Sequence, residues 1–306
     1  MIGASDKSTM KHTIKGLLTG KVLLVLAAPL YSQPSTRPVV AAHYPAGVEG
    51  IKGASLPPPG LYFRDYNMFY TANEYPGGPP DFDISAYINA PRLIWMTDFK
   101  VFGADYGMDV IVPFGYMNWE AGGADDSWFG IGDIQLEPVL LSWHLQQCDI
   151  AAGYAVWAPT GDFSVNRPDI LAKGFWSHML TFGGTIYLDS EKSWALSLLN
   201  RYEFCHEQEQ TDIRPGQVYT LEFGLSKAIT PTFDVGIVGY WQQQTTDDKG
   251  AAATSTKNDR KLGLGAEVSG VCPLTGLLAS ARYAYEFDAV DRPEGHLFAL
   301  TLTKRF

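Results

Sequence analysis

The sequence predicts an all-β chain, folded as a transmembrane, up-and-down antiparallel β-barrel of about twelve strands. Three observations predict it. Segments with a period of two follow one another from about residue 61 to the C-terminus, and that period gives each strand two distinct faces. The connections between them alternate short and long, as they do where short turns gather at one end of a membrane barrel and long loops at the other. The faces opposite the large apolar side chains carry Gly, Ser, Thr and scattered charges rather than the dense charge of a soluble exterior.

Composition agrees. The chain has 306 residues, of which 46% are hydrophobic and only 18% charged, against about a quarter charged in an average soluble domain. Aromatics make up 13%, and there are 31 glycines. Mean hydropathy is -0.07. Beyond the N-terminus no apolar run reaches the length of a helical membrane span. A net charge of -10 excludes nucleic acid as a partner, since that role wants a basic face. Cys148, Cys205 and Cys272 lie far apart without a CxxC pair, so they give neither a disulfide framework nor zinc spacing.

The first element is a targeting segment. Lys7, Lys11, Lys15 and Lys21 precede the apolar run Val22 to Leu30, the pattern of a secretory leader. "PVVAA" offers a small-residue cleavage site after Ala42, so residues 1–42 are read as signal peptide and leader, with a mature start near His43. Residues 43–60 follow, irregular and dense in Gly and Pro. Yet this stretch holds Tyr44, Val48, Ile51 and Leu56, more apolar content than a linker needs. A barrel of this size leaves an interior wide enough to want filling, so these four residues are candidate plug residues.

The barrel proper spans residues 61–306. Its expected strands are about 61–72, 88–102, 106–118, 132–146, 149–158, 174–188, 193–207, 216–228, 232–244, 260–270, 276–288 and 295–306. In "YTLEFGLSKA", Tyr219, Leu221, Phe223 and Leu225 oppose Thr220, Glu222, Gly224 and Ser226. Tight turns are expected at 103–106, 146–149, 189–192, 229–232 and 272–276. Long connections are expected at about 73–87, 119–131, 159–173, 208–215, 245–259 and 289–294. With an even strand number, both ends of the barrel lie on the turn side, which is periplasmic in such barrels. Trp119, Trp128, Trp157 and Trp241 lie near loop-side strand ends, where interfacial aromatics belong.

Three stretches, "HYPAGVEGIKGASLPPPGLYFRDYNMFY", "GDIQLEPVLLSWH" and "YAVWAPTGDF", resemble the outer-membrane barrels of the meta-pathway of phenol degradation (MetA-pathway) family. The resemblance runs from about His43 to Phe306. It implies an outer-membrane protein of a Gram-negative bacterium that passively admits a small hydrophobic or aromatic, phenol-like solute. It carries over no catalytic residue. Expected partners are outer-membrane lipid, that solute and the barrel assembly machinery; no cofactor and no metal is implied.

The charges on lumen-type faces are Arg92, Asp98, Glu137, Arg201, Glu203, Glu222, Glu267, Arg282 and Glu286. An Arg or Lys turned to lipid near the midplane costs about 2–4 kcal/mol, so these should face inward. There they can form a constriction that selects solutes or a salt-bridge network that fills the barrel. Two other roles stay open: a barrel enzyme acting on lipid, and a closed structural or surface-binding barrel. For the enzyme, Ser142 and His144 share a strand face beside the tight turn at 146–149, but no third orienting group is evident. "CHEQEQ" begins like a zinc motif but has Gln210 where the second His is needed. The chain closes on "LFALTLTKRF", with Phe298, Leu300 and Leu302 toward lipid and Phe306 as the terminal aromatic that assembly machinery reads.

Overall fold

The computed structural model describes residues 42–165, 171–253 and 259–306. Apart from Ala42, the expected leader lies outside the described residues. The described residues form fourteen antiparallel strand segments: β1 (Gly60–Glu74), β2 (Asp83–Val101), β3 (Ala104–Ile111), β4 (Phe114–Ala121), β5 (Ala124–Ile131), β6 (Ile134–His144), β7 (Cys148–Ala158), β8 (Ser177–Tyr187), β9 (Trp194–Cys205), β10 (Val218–Thr230), β11 (Phe233–Gln244), β12 (Arg260–Val271), β13 (Leu278–Val290) and β14 (Glu294–Arg305). β1 pairs with both β14 and β2, which closes the barrel; among the described residues β5, paired with β4 alone, keeps one side without a ladder partner.

Twelve wall strands are nonetheless what the register describes. β2 pairs Arg92 with Ile111 of β3 and Asn89 with Phe114 of β4. Those two pairings are one continuous register, so β4 prolongs β3. On the other side β3 pairs Ile111 with Gln135 of β6, and β4 pairs Phe114 with Ile131 of β5, registers one residue apart, so β5 and β6 form one interrupted strand. The interruptions fall where donors are missing. Pro91 and Pro113 have no N–H to give the ladder; what remains is Val112 N donating to Pro91 O (3.2 Å) and Gly132 N donating to Pro113 O (2.8 Å).

The expected strands 106–118 and 132–146 are thus longer and broken. The expected long connection 119–131 is instead the β4–β5 hairpin, closed by Gly122 and Gly123 at φ 59° and 83°. A two-residue turn with both φ values positive suits the strand twist, and Gly supplies it without strain. The connection between β13 and β14 is also short.

Side chains sort by face as the alternation requires. Phe298 and Leu300 on β14, Tyr283 and Phe287 on β13, and Ile237 and Trp241 on β11 lie on the outer surface. Arg282, Glu286, Glu222 and Glu267 are buried inside. On β6 a register shift between Leu136 and Val139, at Pro138, lets Glu137 and Leu140 both point inward. Trp157 departs from the expected interfacial belt: it is buried.

Candidate functional site in the lumen

Residues 43–59 run through the barrel from the loop side to the turn side. At the loop side, His43 meets Ser177 at the start of β8, Glu203 near the end of β9 and Trp157 near the end of β7. At the turn side, Lys52 pairs with Asp234 near the start of β11 (2.8 Å), and Ser55 Oγ donates to Asp149 near the start of β7 (2.7 Å). Pro59 O then accepts from Arg305 at the end of β14.

The segment has almost no hydrogen bonds of its own; wall side chains supply its partners. Glu222 accepts from the backbone N–H of Gly47 (2.9 Å) and Glu49 (3.0 Å) and from the Tyr44 hydroxyl (2.7 Å). Glu267 accepts from Ile51 N (3.0 Å), and Arg282 donates to Gly47 O. Gln242 Nε2 donates to Tyr44 O (2.9 Å). A buried backbone group left unpaired would be costly, so these wall residues are what permits an irregular chain at membrane depth.

Apolar contacts complete the fit. Tyr44, Ala46 and Val48 join Tyr66, Met68, Tyr240, Leu297 and Ala299 in one buried cluster. Leu56 packs on Tyr62, Ile94, Met96 and Leu140. Ile51 lies over Gly224 and Gly236; an added Cβ would overlap it at Gly236 and crowd it at Gly224. The two strand glycines therefore serve close approach of the segment to the wall.

Eight of the nine sequence-predicted charges lie in this interior. Arg92 donates to Asp109, to Glu137 (3.1 Å) and to Glu49 (3.4 Å). Arg201 pairs with Glu222, and its guanidinium lies 4.0 Å from the Tyr44 ring centroid. Arg282 Nε donates to Glu267 (2.9 Å). Glu286 accepts from the Tyr70 and Tyr240 hydroxyls, each at 2.7 Å, and pairs with Lys261. Glu203 holds His43. Asp98 is the departure: it is exposed near the turn side, in the stretch between Met96 and Lys100 where the β2–β3 register slips. Glu49, Asp109 and Lys261 belong to the network and were not singled out. Asp109 was findable, standing in step with Asp105 and Gly107 on one face; Glu49 sits in a stretch with no period to read.

Near the turn side, the third orienting group that the sequence did not reveal is present. Ser142 Oγ lies 3.1 Å from His144 Nε2, and His144 Nδ1 lies 3.0 Å from Asp149 Oδ1. Asp149 follows the tight turn and folds back beside its partners, as β6 pairs His144 with Asp149. Its other oxygen accepts from Ser55 and from Tyr187 (2.7 Å each). Ser142 itself is only 1% exposed. No group of three or more His, Cys, Asp or Glu side chains is placed to hold a metal among the described residues.

Solved structures share the architecture. An outer membrane channel from Pseudomonas putida F1 superposes with a TM-score of 0.72 at 15% identity, covering 86% of this chain and 99% of that one. The translocator domain of the autotransporter NalP from Neisseria meningitidis gives 0.52 at 11% identity, covering 83% and 91%. The β domain of the Bordetella autotransporter BrkA gives 0.53 at 12% identity, covering 82% and 100%. No curated protein matches the sequence. The model of one family, "Putative MetA-pathway of phenol degradation", matches residues 65–302, most of the barrel just described, and the chain belongs to that family.

Proposed function

We propose that the protein is an outer-membrane channel for the passive uptake of a small hydrophobic or aromatic solute, and that residues 43–58 plug it. One observation carries the reading. The interior is filled by a separate stretch of chain held through hydrogen bonds and ion pairs, with Glu222, Glu267, Arg282 and Gln242 serving it. A barrel of this width has a lumen that wall side chains alone do not fill, and a tethered segment held by polar contacts is a filling that can be withdrawn. The similar Pseudomonas putida barrel is described as an outer membrane channel, and the family name points to phenol degradation. Passage would be facilitated diffusion past the lumen charges, with binding weak enough to permit exit.

The test is liposome swelling with phenol-like solutes and planar-bilayer conductance, on the full chain and on a chain lacking residues 43–58. The truncated barrel should conduct well above the full chain. Equal current in the two would remove the plug, and no solute entry through either would remove the channel.

The Ser142, His144 and Asp149 relay favours a second reading, a hydrolase. Its nucleophile, Ser142, is buried, two residues from Leu140 of the cluster against which Leu56 packs. Ester hydrolysis by the full chain that Ser142→Ala abolishes would establish it; absence of hydrolysis removes it.

A further inference from the structure

His43 occupies an enclosed polar site at the loop side of the barrel. Its ring stacks on Trp157 with centroids 5.3 Å apart and meets Phe175 edge-on at 4.5 Å. Nδ1 faces Glu203 Oε1 at 3.0 Å, and Nε2 faces Asp133 Oδ2 at 3.1 Å. Ser177 Oγ donates to Glu203 Oε1 at 2.7 Å and lies 2.9 Å from Nδ1. Asp133 also accepts the backbone N–H of Gly161 (2.9 Å) and Lys173 (2.6 Å). One imidazole is thus shared between two buried carboxylates, and both its nitrogens must donate to satisfy them.

The backbone of the same residue enters the site as well. His43 N donates to Glu203 Oε1 at 2.9 Å, and Tyr44 N donates to Oε2 at 3.2 Å. Both oxygens of Glu203 are therefore spent on the first two residues after Ala42. A buried carboxylate is costly unless paired and hydrogen-bonded, and a single ring shared with Asp133 is a thin complement for it.

Topology adds a constraint. The segment joins β1 on the turn side at Gly60, yet His43 sits at the loop side beside Ser177 and Glu203. A chain still carrying residues 1–42 would have to pass all of them through the lumen to seat His43 there.

We propose that the mature chain begins at His43 and that its α-ammonium group is the second cation of this site, locking the segment to Glu203. A signal peptidase hydrolyses the Ala42–His43 peptide bond. One water is consumed: its hydroxyl goes to the Ala42 carbonyl carbon and a proton to the His43 nitrogen, which takes up one more proton as an α-amine. The nitrogen that donated as an amide then donates as an ammonium from the same position, and a hydrogen bond becomes a charge-assisted one. Leader removal is thereby coupled to closure of the lumen. The site also reads the cut. A chain starting at Tyr44 lacks the ring, and one starting at Ala42 carries its charge one residue away from Glu203. The proposal deepens the channel reading by naming what holds the segment, but its tests do not depend on conduction.

Two measurements decide it. N-terminal sequencing of the protein extracted from the outer-membrane fraction should give His43 as the first residue; any other first residue overturns the proposal. Acylation of the α-amine by a water-soluble ester reagent, followed by mass spectrometry, should be at least about tenfold slower in the folded protein than after heat denaturation. Glu203→Gln, which keeps an acceptor and loses the charge, should raise the rate in the folded state. Equal rates in folded and denatured wild type overturn the proposal, and that comparison stands even if the variant does not assemble. Solute entry into liposomes is scored separately, so a failed channel reading and a failed amino-terminal lock give different results.

Discussion

Three carboxylates, Glu49, Asp109 and Glu137, converge on the single guanidinium of Arg92, which also donates to the Tyr66 hydroxyl. Arg suits the position because its planar fork reaches several acceptors at once. Arg92→Leu removes the cation and leaves the acids buried without it, a loss of about 3–5 kcal/mol for a buried pair broken on one side. A markedly lower temperature for the heat-modified shift on a gel is the expected result. Asp98→Asn, at an exposed position, should stay within about 0.5 kcal/mol of wild type. The contrast marks how far alternation can be read. Parity puts Arg92, Glu222 and Glu286 on lumen-type faces, and all three are buried, because each sits where the pairing with its neighbour is unshifted. It failed at Asp98 because a register shift is invisible in the letters.

At the scale of elements, the tight turns were legible; two of the expected long connections, 119–131 and 289–294, are short, and the interrupted strands were not legible. Gly122 and Gly123 are the usual signal of a two-residue hairpin, but the acids and aromatics around them read as loop. The cause of the break lies across the sheet, in Pro91 facing the Val112–Pro113 step, and only pairing reveals it. The turn between β12 and β13 offers a test of which end is which. Cys272 there is exposed, whereas Cys205 is buried and Cys148 only partly accessible. The Thr275 hydroxyl and the Thr275 and Leu274 N–H groups hydrogen-bond to the Cys272 thiol and hold it below the ordinary thiol range, favouring the reactive thiolate. In whole cells a membrane-impermeant maleimide should leave Cys272 unlabelled, and permeabilising the outer membrane should expose it. Labelling in intact cells would invert the orientation.

For the molecule as a whole, the closed cylinder was legible because closure, face alternation and strand number all depend on period and spacing, which a sequence carries directly. The interior was legible only in part. The apolar residues of the N-terminal segment pointed inward, but Glu203 reaching for His43 and Glu222 for Tyr44 are contacts across more than 150 residues, which no local pattern encodes. Phe306 is exposed and its N–H donates to Leu61 O, so it stands at the seam where β14 meets β1. Deleting Phe306 should lower the amount of heat-modifiable barrel in the outer membrane, with little effect on the stability of what does assemble. Normal yield would leave the aromatic as a seam residue alone. The stretch that fills the lumen runs without a break into β1 at Gly60, so in the proposed channel it is a ligand on a leash. Its return is intramolecular, at an effective concentration of about millimolar for a short flexible tether. Closure then does not depend on how many copies the membrane holds. A solute that opens the barrel competes against a constant rather than a concentration.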